Sequence, residues 1–250
     1  MMANLNIYYQ NARGLRTKTT TFKRNVCLND YDVISITETW LLEGIKDQEL
    51  FDDRYVVWRR DRDYKATKQS LGGGVLLAVR RDLAAAARPE WHSSAEDLWV
   101  SVSIRHGGGK ALIHFCTLYL CNENVGNRIW ARLDGFTDKL FEITSSCPDD
   151  LFVSQINFFD TLAQSDLWQR TPVCNRNGKW LDLVFSNSNL SINPCEDPLV
   201  PDDIPHHRSI CLELSLVSAN TLEINKSLWR PLSMVHSGTT WFFKITFHSV

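Results

Sequence analysis

Polar residues stand at the ends of stretches that read as strands: Asn11 in "QNARGL", Glu38 in "TETW", Tyr119 and Asn122 in "LYLCN", Asp182 in "WLDL" and His206 in "PHH". Loops at strand ends are where catalytic groups commonly sit, because a rigid scaffold presents them there. Together these residues offer carboxylate, amide, phenol and imidazole groups, the types from which active sites are assembled. Each also has a plain structural reading. Asn11 can be a turn residue, Glu38 a helix cap, Tyr119 a wall of the core, and His206 with His207 two surface histidines. A zinc site at His206–His207 is the weaker alternative, since no further Cys or His pair at ligand spacing completes it. Residues 54–68 gather Arg54, Arg59, Arg60, Arg62, Lys65 and Lys68 against Asp61 and Asp63. They read either as a solvated loop between strands or as a patch that holds nucleic-acid phosphates, with salt-dependent affinity and no base reading. Gly72-Gly73-Gly74 is no phosphate loop, because no GK[ST] follows it.

The elements that must position these groups follow from hydrophobic patterning. "LNIYY" (5–9), "YDVISIT" (31–37), "RYVVWRR" (54–60) and "GGVLLAVRR" (73–81) read as strands. So do "DLWVSVSIRH" (97–106) and "ALIHFCTLYL" (111–120), with the glycines at 107–109 as their hairpin turn. "WLDLVFSN" (180–187) and "RSICLELSL" (208–216) close the series. Helices are expected at 18–29, at 156–168 and over 127–143, where Ile129, Trp130, Leu133, Phe136, Leu140, Phe141 and Ile143 recur at helical spacing. Hairpins mixed with crossover helices predict β-sheets flanked by helices in one domain. The pattern fades after about residue 217, where "TWFFKITFHS" is β-prone without an evident partner.

In order and spacing, "QNARGL", "SITETW", "LYLCN", "WLDLVFSN" and "DIPHHRSI" resemble the motif series of the endonuclease/exonuclease/phosphatase superfamily. Within it, "LGGGVLLAVRRDL" and "LDLVFSNS" are similar to the endonuclease domains of non-LTR retrotransposons, arthropod elements in particular. The resemblance covers roughly residues 4–216. It implies a four-layer α/β sandwich, two packed mixed β-sheets flanked by helices, over 1–216, with 217–250 as an unassigned tail. It also implies metal-assisted phosphodiester hydrolysis. A phosphodiester is anionic and repels nucleophiles, so the site needs a hard cation on oxygen ligands; Mg²⁺ fits, with Mn²⁺ as the alternative. On this resemblance Glu38 is the carboxylate ligand and Asn11 supports the metal's shell. Tyr119 and Asn122 contact the scissile phosphate. Asp182 orients His206, which stabilises charge on the phosphoryl oxygens as a carboxylate-held, protonated imidazole. The basic residues Arg59, Arg60, Arg62, Lys65 and Lys68 would hold double-stranded DNA. Full-length relatives carry a reverse-transcriptase domain C-terminal to such a domain.

One motif departs from the family. Relatives carry G-D-x-N after a central apolar strand, its Asp positioning the attacking water and its Asn holding the transition state. Here "LFV" leads into "SQIN". Either Gln155 replaces the Asp with Asn157 kept as the Asn, or a strand–loop segment is deleted and Asn157 matches by accident. The short distance from Val153 to "WLDL" favours deletion, and so the loss of part of a central strand. Gln is neutral at every pH and cannot act as a base. Losing a catalytic carboxylate costs several kcal/mol of transition-state stabilisation, at roughly tenfold in rate per 1.4 kcal/mol. Near the last motif, Pro205 stands where relatives have an Asp, and Asp203 lies three residues before His206.

The chain's 250 residues, 44% of them hydrophobic and 22% charged, suit a globular domain, and a net charge of −2 excludes a strong whole-molecule field for DNA or membrane. No apolar stretch approaches the roughly 18–20 residues of a membrane span, and "MMANLNIYY" lacks the features of a secretory signal. Cys27, Cys116, Cys121, Cys147, Cys174, Cys195 and Cys211 are odd in number with no CxxC pair, so scattered reduced thiols in an intracellular, nuclear protein are expected. The expected function is a Mg²⁺-dependent DNA endonuclease impaired by loss of G-D-x-N. Two alternatives stay open: a non-catalytic DNA-binding remnant, and a phosphatase or phosphodiesterase acting on small molecules or lipids.

Overall fold

The computed structural model describes residues 3–106, 109–120, 126–147, 150–156, 167–175, 182–188, 190–201, 207–216, 233–237 and 240–244. Two six-stranded sheets form the larger of two units, which spans Met1–Ser218. The first sheet contains β1 (Ala3–Asn11), β2 (Val33–Thr37), β3 (Tyr55–Arg60) and β4 (Val75–Arg80). The second contains β5 (Ala84–Ala87), β6 (Glu96–His106), β7 (Gly109–Tyr119), β8 (Leu151–Ile156), β9 (Trp168–Gln169) and β10 (Leu183–Ser186). The chain then returns to the first sheet as β11 (Leu190–Pro194) and β12 (Ile210–Leu216). Strand order is β11-β12-β1-β2-β4-β3 in one sheet and β5-β6-β7-β8-β10-β9 in the other. Both are mixed: β1 and β2 run parallel, as do β7 and β8, and the other pairings are antiparallel.

Period-two alternation sorts the side chains into layers. Leu5, Ile7, Val33, Leu77, Val100, Phe115, Val153, Val184 and Leu212 are buried between the sheets. The opposite face of the first sheet, with Tyr8, Ile34 and Leu76, is covered by Phe22 and Val26, one turn apart on α1 (Thr19–Leu28). The opposite face of the second, with Trp99, Cys116, Leu118 and Phe152, is covered by Phe136, Leu140 and Ile143 of a helix over Gly126–Ser146. The result is the four-layer α/β sandwich the resemblance implies. The structure differs in one part of that helix: Phe141, expected on the apolar face, is 54% exposed, because it lies beside rather than on the stripe of Phe136, Leu140 and Ile143.

Two further differences concern the ends of the pattern. β8 holds six paired residues, with β7 on one side and β10 on the other, and the chain after Ile156, where the strand–loop segment is expected to be shortened, lies outside the described residues. The expected helix over 156–168 begins on that strand and ends on β9, and its residues 157–166 lie outside the described residues. In the second unit, Ala219–Val250, the β-prone run has a partner after all: β13 (Ser233–Ser237) pairs antiparallel with β14 (Thr240–Lys244). Among the described residues no helix is long and apolar enough to cross a membrane. Cys27, Cys116, Cys147, Cys174, Cys195 and Cys211 are free thiols, and Cys121 lies outside the described residues.

Phe136 is fully buried and stacks on Trp99, with ring centroids 6.1 Å apart. Phe136→Ala is expected to lower unfolding stability by about 3–5 kcal/mol, the range for deleting a buried aromatic ring, read as a lower urea midpoint.

Candidate active site

The C-terminal ends of β1 and β2 and the residues just before β10 and β12 meet at one end of the sandwich. Glu38 follows β2 directly. It and Trp40 have φ of 51° and 54°, a left-handed conformation that non-glycine residues hold only when their surroundings impose it. The surroundings here are backbone hydrogen bonds. Ala12, Gly14 and Leu15 donate to the carbonyls of Thr37, Glu38 and Thr39 at 2.8–2.9 Å, while Thr39 and Trp40 donate to Gly74 and Gly73 at 3.2 and 3.0 Å. Gly14 is required twice over: its φ is 97°, and a Cβ there would stand 2.6 Å from the Trp40 ring. Thus "QNARGL" and "LGGG" are the two walls between which the Glu38 backbone is set.

The Glu38 side chain is half-buried, and its Oε1 accepts a hydrogen bond from Asn11 Nδ2 at 2.9 Å. Asn11 is itself buried, and its Oδ1 accepts from the Arg13 backbone N–H at 3.2 Å. The structure brings these two residues of the sequence reading into direct contact.

Asp182, just before β10, is buried and carries two hydrogen bonds. Tyr9 Oη donates to its Oδ1 at 3.0 Å, and His207 Nδ1 lies 2.8 Å from its Oδ2. The Tyr9 hydroxyl is also 3.1 Å from Thr37 Oγ1. Burial pushes the Tyr9 phenol well above its ordinary value, and the Asp182 charge adds to this, so Tyr9 remains a donor. Burial alone would depress the His207 imidazole. The Asp182 hydrogen bond and charge, with a contribution from Glu38, outweigh it and raise the ring above its ordinary value despite Arg13. The expected partner of Asp182 was His206; the residue that meets it is His207. His206 lies outside the described residues. Of two adjacent histidines, the one facing the carboxylate is set by where the chain enters β12, whose register fixes Ile210 opposite Tyr9.

Tyr119 ends β7 opposite Glu96, and its ring lies 5.6 Å from the Arg62 guanidinium. Arg62 is buried; its Nε donates to Glu96 Oε1 at 2.6 Å, while Glu96 Oε2 accepts from the Gly74 N–H at 2.9 Å. The expected DNA patch is therefore corrected in part. Arg62 pairs with Glu96, Arg60 with Asp97 at 2.7 Å, and Arg59 with Asp61 and with Asp47 at 3.1 Å. Arg59 and Arg60 lie on the edge strand β3 and Arg62 just beyond it; their carboxylate partners are Glu96 and Asp97 at the start of β6 and Asp47 and Asp61 nearby, and a guanidinium so placed is held by the protein's own charges. Lys65 and Lys68, around the short helix α2 (Tyr64–Thr67), are exposed. Tyr9, Thr37 and Arg13 were missed by the sequence reading. Arg13 is exposed and its charge reaches His207. Alternation did hold a clue to Tyr9, since a tyrosine on the buried face of "LNIYY" needs a polar partner for its hydroxyl.

Asn122 and Asn157 lie outside the described residues. Gln155 stands within β8, in register with Thr117 on one side and Val184 on the other.

No family model and no curated protein matches the sequence. Solved structures do match the fold. The endonuclease domain of TRAS1, a telomere-specific non-LTR retrotransposon, superposes with a TM-score of 0.55 at 12% identity, covering 86% of this chain and 100% of that domain. An endonuclease/exonuclease/phosphatase family protein from Bacteroides thetaiotaomicron gives 0.55 at 12% identity over 87% of this chain and 100% of its own. The 3′ phosphatase NExo from Neisseria, bound to product DNA hairpin, gives 0.55 at 10% identity over 83% and 98%. The chain therefore shares the fold of these proteins.

The raised His207 value has a thermodynamic consequence. A group with a higher pKa folded than unfolded stabilises the fold fully below its unfolded value, about 6.5, and loses that contribution as pH rises through the folded value. The stability margin of wild type over His207→Gln is expected to be largest below about pH 6.5 and to shrink as pH climbs past the raised native value. Urea midpoints of the two proteins across pH measure it.

Proposed function

We propose that this chain is a divalent-metal-dependent phosphodiester hydrolase acting on double-stranded DNA, of the retrotransposon endonuclease kind, working below the rate of relatives with an intact G-D-x-N motif. The observation that carries the reading is the gathering of Asn11–Glu38 and Tyr9–Asp182–His207 at one end of a sandwich with this superfamily's fold. The donor set suits a hard cation. Asn11 engages one Glu38 oxygen, which leaves the other for an ion that takes few carboxylates and keeps its waters. Mg²⁺ bound there, with Mn²⁺ as the alternative, supplies positive charge to a phosphoryl oxygen.

The protein's own groups do the rest. Asn11 fixes the orientation of Glu38, and the two stitched loops fix its backbone. Asp182 accepts the Nδ1 hydrogen of His207 and favours the charged ring, so that Nε2 presents a hydrogen to a phosphoryl oxygen. Tyr9 donates to the second oxygen of Asp182 and keeps that carboxylate turned toward the imidazole. Arg13, Lys65 and Lys68 are the exposed cations for backbone phosphates, fewer than the sequence reading assigned. Among the described residues the set holds no further carboxylate to position the attacking water, and Gln155, neutral at every pH, cannot accept a proton.

Nicking of supercoiled plasmid in Mg²⁺ tests the reading. Slow nicking is expected, abolished in Glu38→Ala and reduced about 10²-fold or more in His207→Ala, the scale of removing one preorganised donor. Nicking that persists in Glu38→Ala overturns the assignment. Salt-dependent duplex binding with no turnover favours a non-catalytic remnant, and turnover of small phosphate esters in place of plasmid favours the phosphatase alternative.

A further inference from the structure

β7 presents alternate residues to opposite faces of its sheet. Ile113 and Phe115 face the other sheet, whereas Cys116 and Leu118 face the helix over Gly126–Ser146, here called α3. His114 shares the α3 face and is 1% exposed. Its ring lies between Trp91 and Phe152, at centroid distances of 4.8 and 4.9 Å. Both nitrogens are engaged: Nδ1 is 2.8 Å from Ser101 Oγ, and Nε2 is 2.9 Å from Asp150 Oδ2. Cys147 directly follows α3, its N–H bonded to Ile143, and Asp150 donates its own N–H to the Cys147 carbonyl at 3.2 Å. This turn brings both side chains back onto His114. One ligand atom from each of the three residues falls within 4.8 Å of the others.

We propose that His114, Cys147 and Asp150 form a binding site for a thiophilic divalent cation of the Zn²⁺ class, with water completing the coordination. Imidazole, thiolate and carboxylate together are a borderline-soft donor set that selects Zn²⁺ or Co²⁺ over Mg²⁺. One carboxylate now accepts from both the imidazole and the thiol. A cation takes the place of those two hydrogens. Without the ion the neutral imidazole carries its one hydrogen on Nε2; with it that hydrogen shifts to Nδ1 and is donated to Ser101 Oγ, Nε2 turns its lone pair to the metal, and the thiol proton leaves to solvent. Ser101 already accepts from Arg88 Nε at 2.8 Å and has a lone pair left for this bond. An outer partner that fixes the tautomer is the usual companion of a ligating histidine. With thiolate and carboxylate both anionic, a divalent ion leaves the cluster neutral inside a largely apolar wall.

This site is distinct from the one at Glu38. Tyr119 stands five residues further along β7, about 17 Å at roughly 3.3 Å per residue, and on the other face of the sheet. The ion would clamp the end of α3 and the turn into β8 against β7, a structural role independent of any hydrolysis.

Co²⁺ titration of the chelator-treated full-length chain tests it. Expected is one equivalent of Co²⁺ with a thiolate-to-cobalt absorption band, displaced by Zn²⁺, and a melting temperature raised by Zn²⁺ but not by Mg²⁺. Cys147→Ser should lose the band and the Zn²⁺ shift, while Cys27→Ser keeps both. Ser101→Ala should keep the band with Co²⁺ affinity about 10–100-fold weaker, as for loss of an outer-shell partner. Absence of the band in wild type, or its survival in a folded Cys147→Ser as judged by circular dichroism, overturns the proposal. Plasmid nicking should be unchanged in Cys147→Ser, so failure here and failure of the nuclease reading are separate results.

Discussion

The carboxylate of Asp182 is buried at the seam of the two sheets, and the geometry of the candidate site depends on it. A buried carboxylate is costly unless its oxygens are satisfied. Here one accepts from Tyr9 on β1 of the first sheet and the other faces His207 at the entry to β12 of the same sheet, while Asp182 itself opens β10 of the second. The contact therefore ties three chain segments and two sheets. Ser35 on β2 and Thr117 on β7 make a second polar tie across the seam, at 2.6 Å. Between the sheets the remaining contacts are mainly apolar and do not specify register so closely, so these directional bonds contribute to alignment as well as chemistry.

A related constraint acts at Glu38. The residue expected to hold a cation sits in a left-handed conformation that its own side chain disfavours, and backbone bonds from both flanking loops keep it there. Unfavourable backbone conformations persist where surrounding structure over-determines them, often at functional positions. Gly14 yields space to the Trp40 ring, and Gly73, whose φ of 71° a side chain would strain, supplies a carbonyl to the Trp40 N–H.

The cations tell a different story. A run of arginines on and just after an edge strand looks like a surface for phosphates until the start of β6 and the chain around Asp47 and Asp61 are in place. Arg62, Arg60 and Arg59 then meet Glu96, Asp97 and the Asp47–Asp61 pair, and their charge maintains the fold around Tyr119 instead of projecting into solvent. Glu96 does double work, accepting from Arg62 and from the Gly74 backbone, which joins the Tyr119 end of β7 to the loop that holds Glu38.

What the sequence alone determined is what local pattern can carry. The compact apolar runs in "YDVISIT" and "GGVLLAVRR" marked strands, residues 18–29 read as a helix, and the order of motifs resembling one superfamily picked out Asn11, Glu38 and Asp182 at strand ends. The tertiary structure alone decided which histidine meets Asp182, which arginines are neutralised, that β8 is continuous through Gln155, and that His114, Cys147 and Asp150 converge behind the second sheet. The reason is physical. Secondary structure follows from neighbours a few residues apart, whereas Tyr9 and Asp182 are 173 positions apart and Arg62 and Glu96 are 34 apart. Such pairs are fixed only when packing of the two sheets removes water and brings the partners of each buried charge within reach.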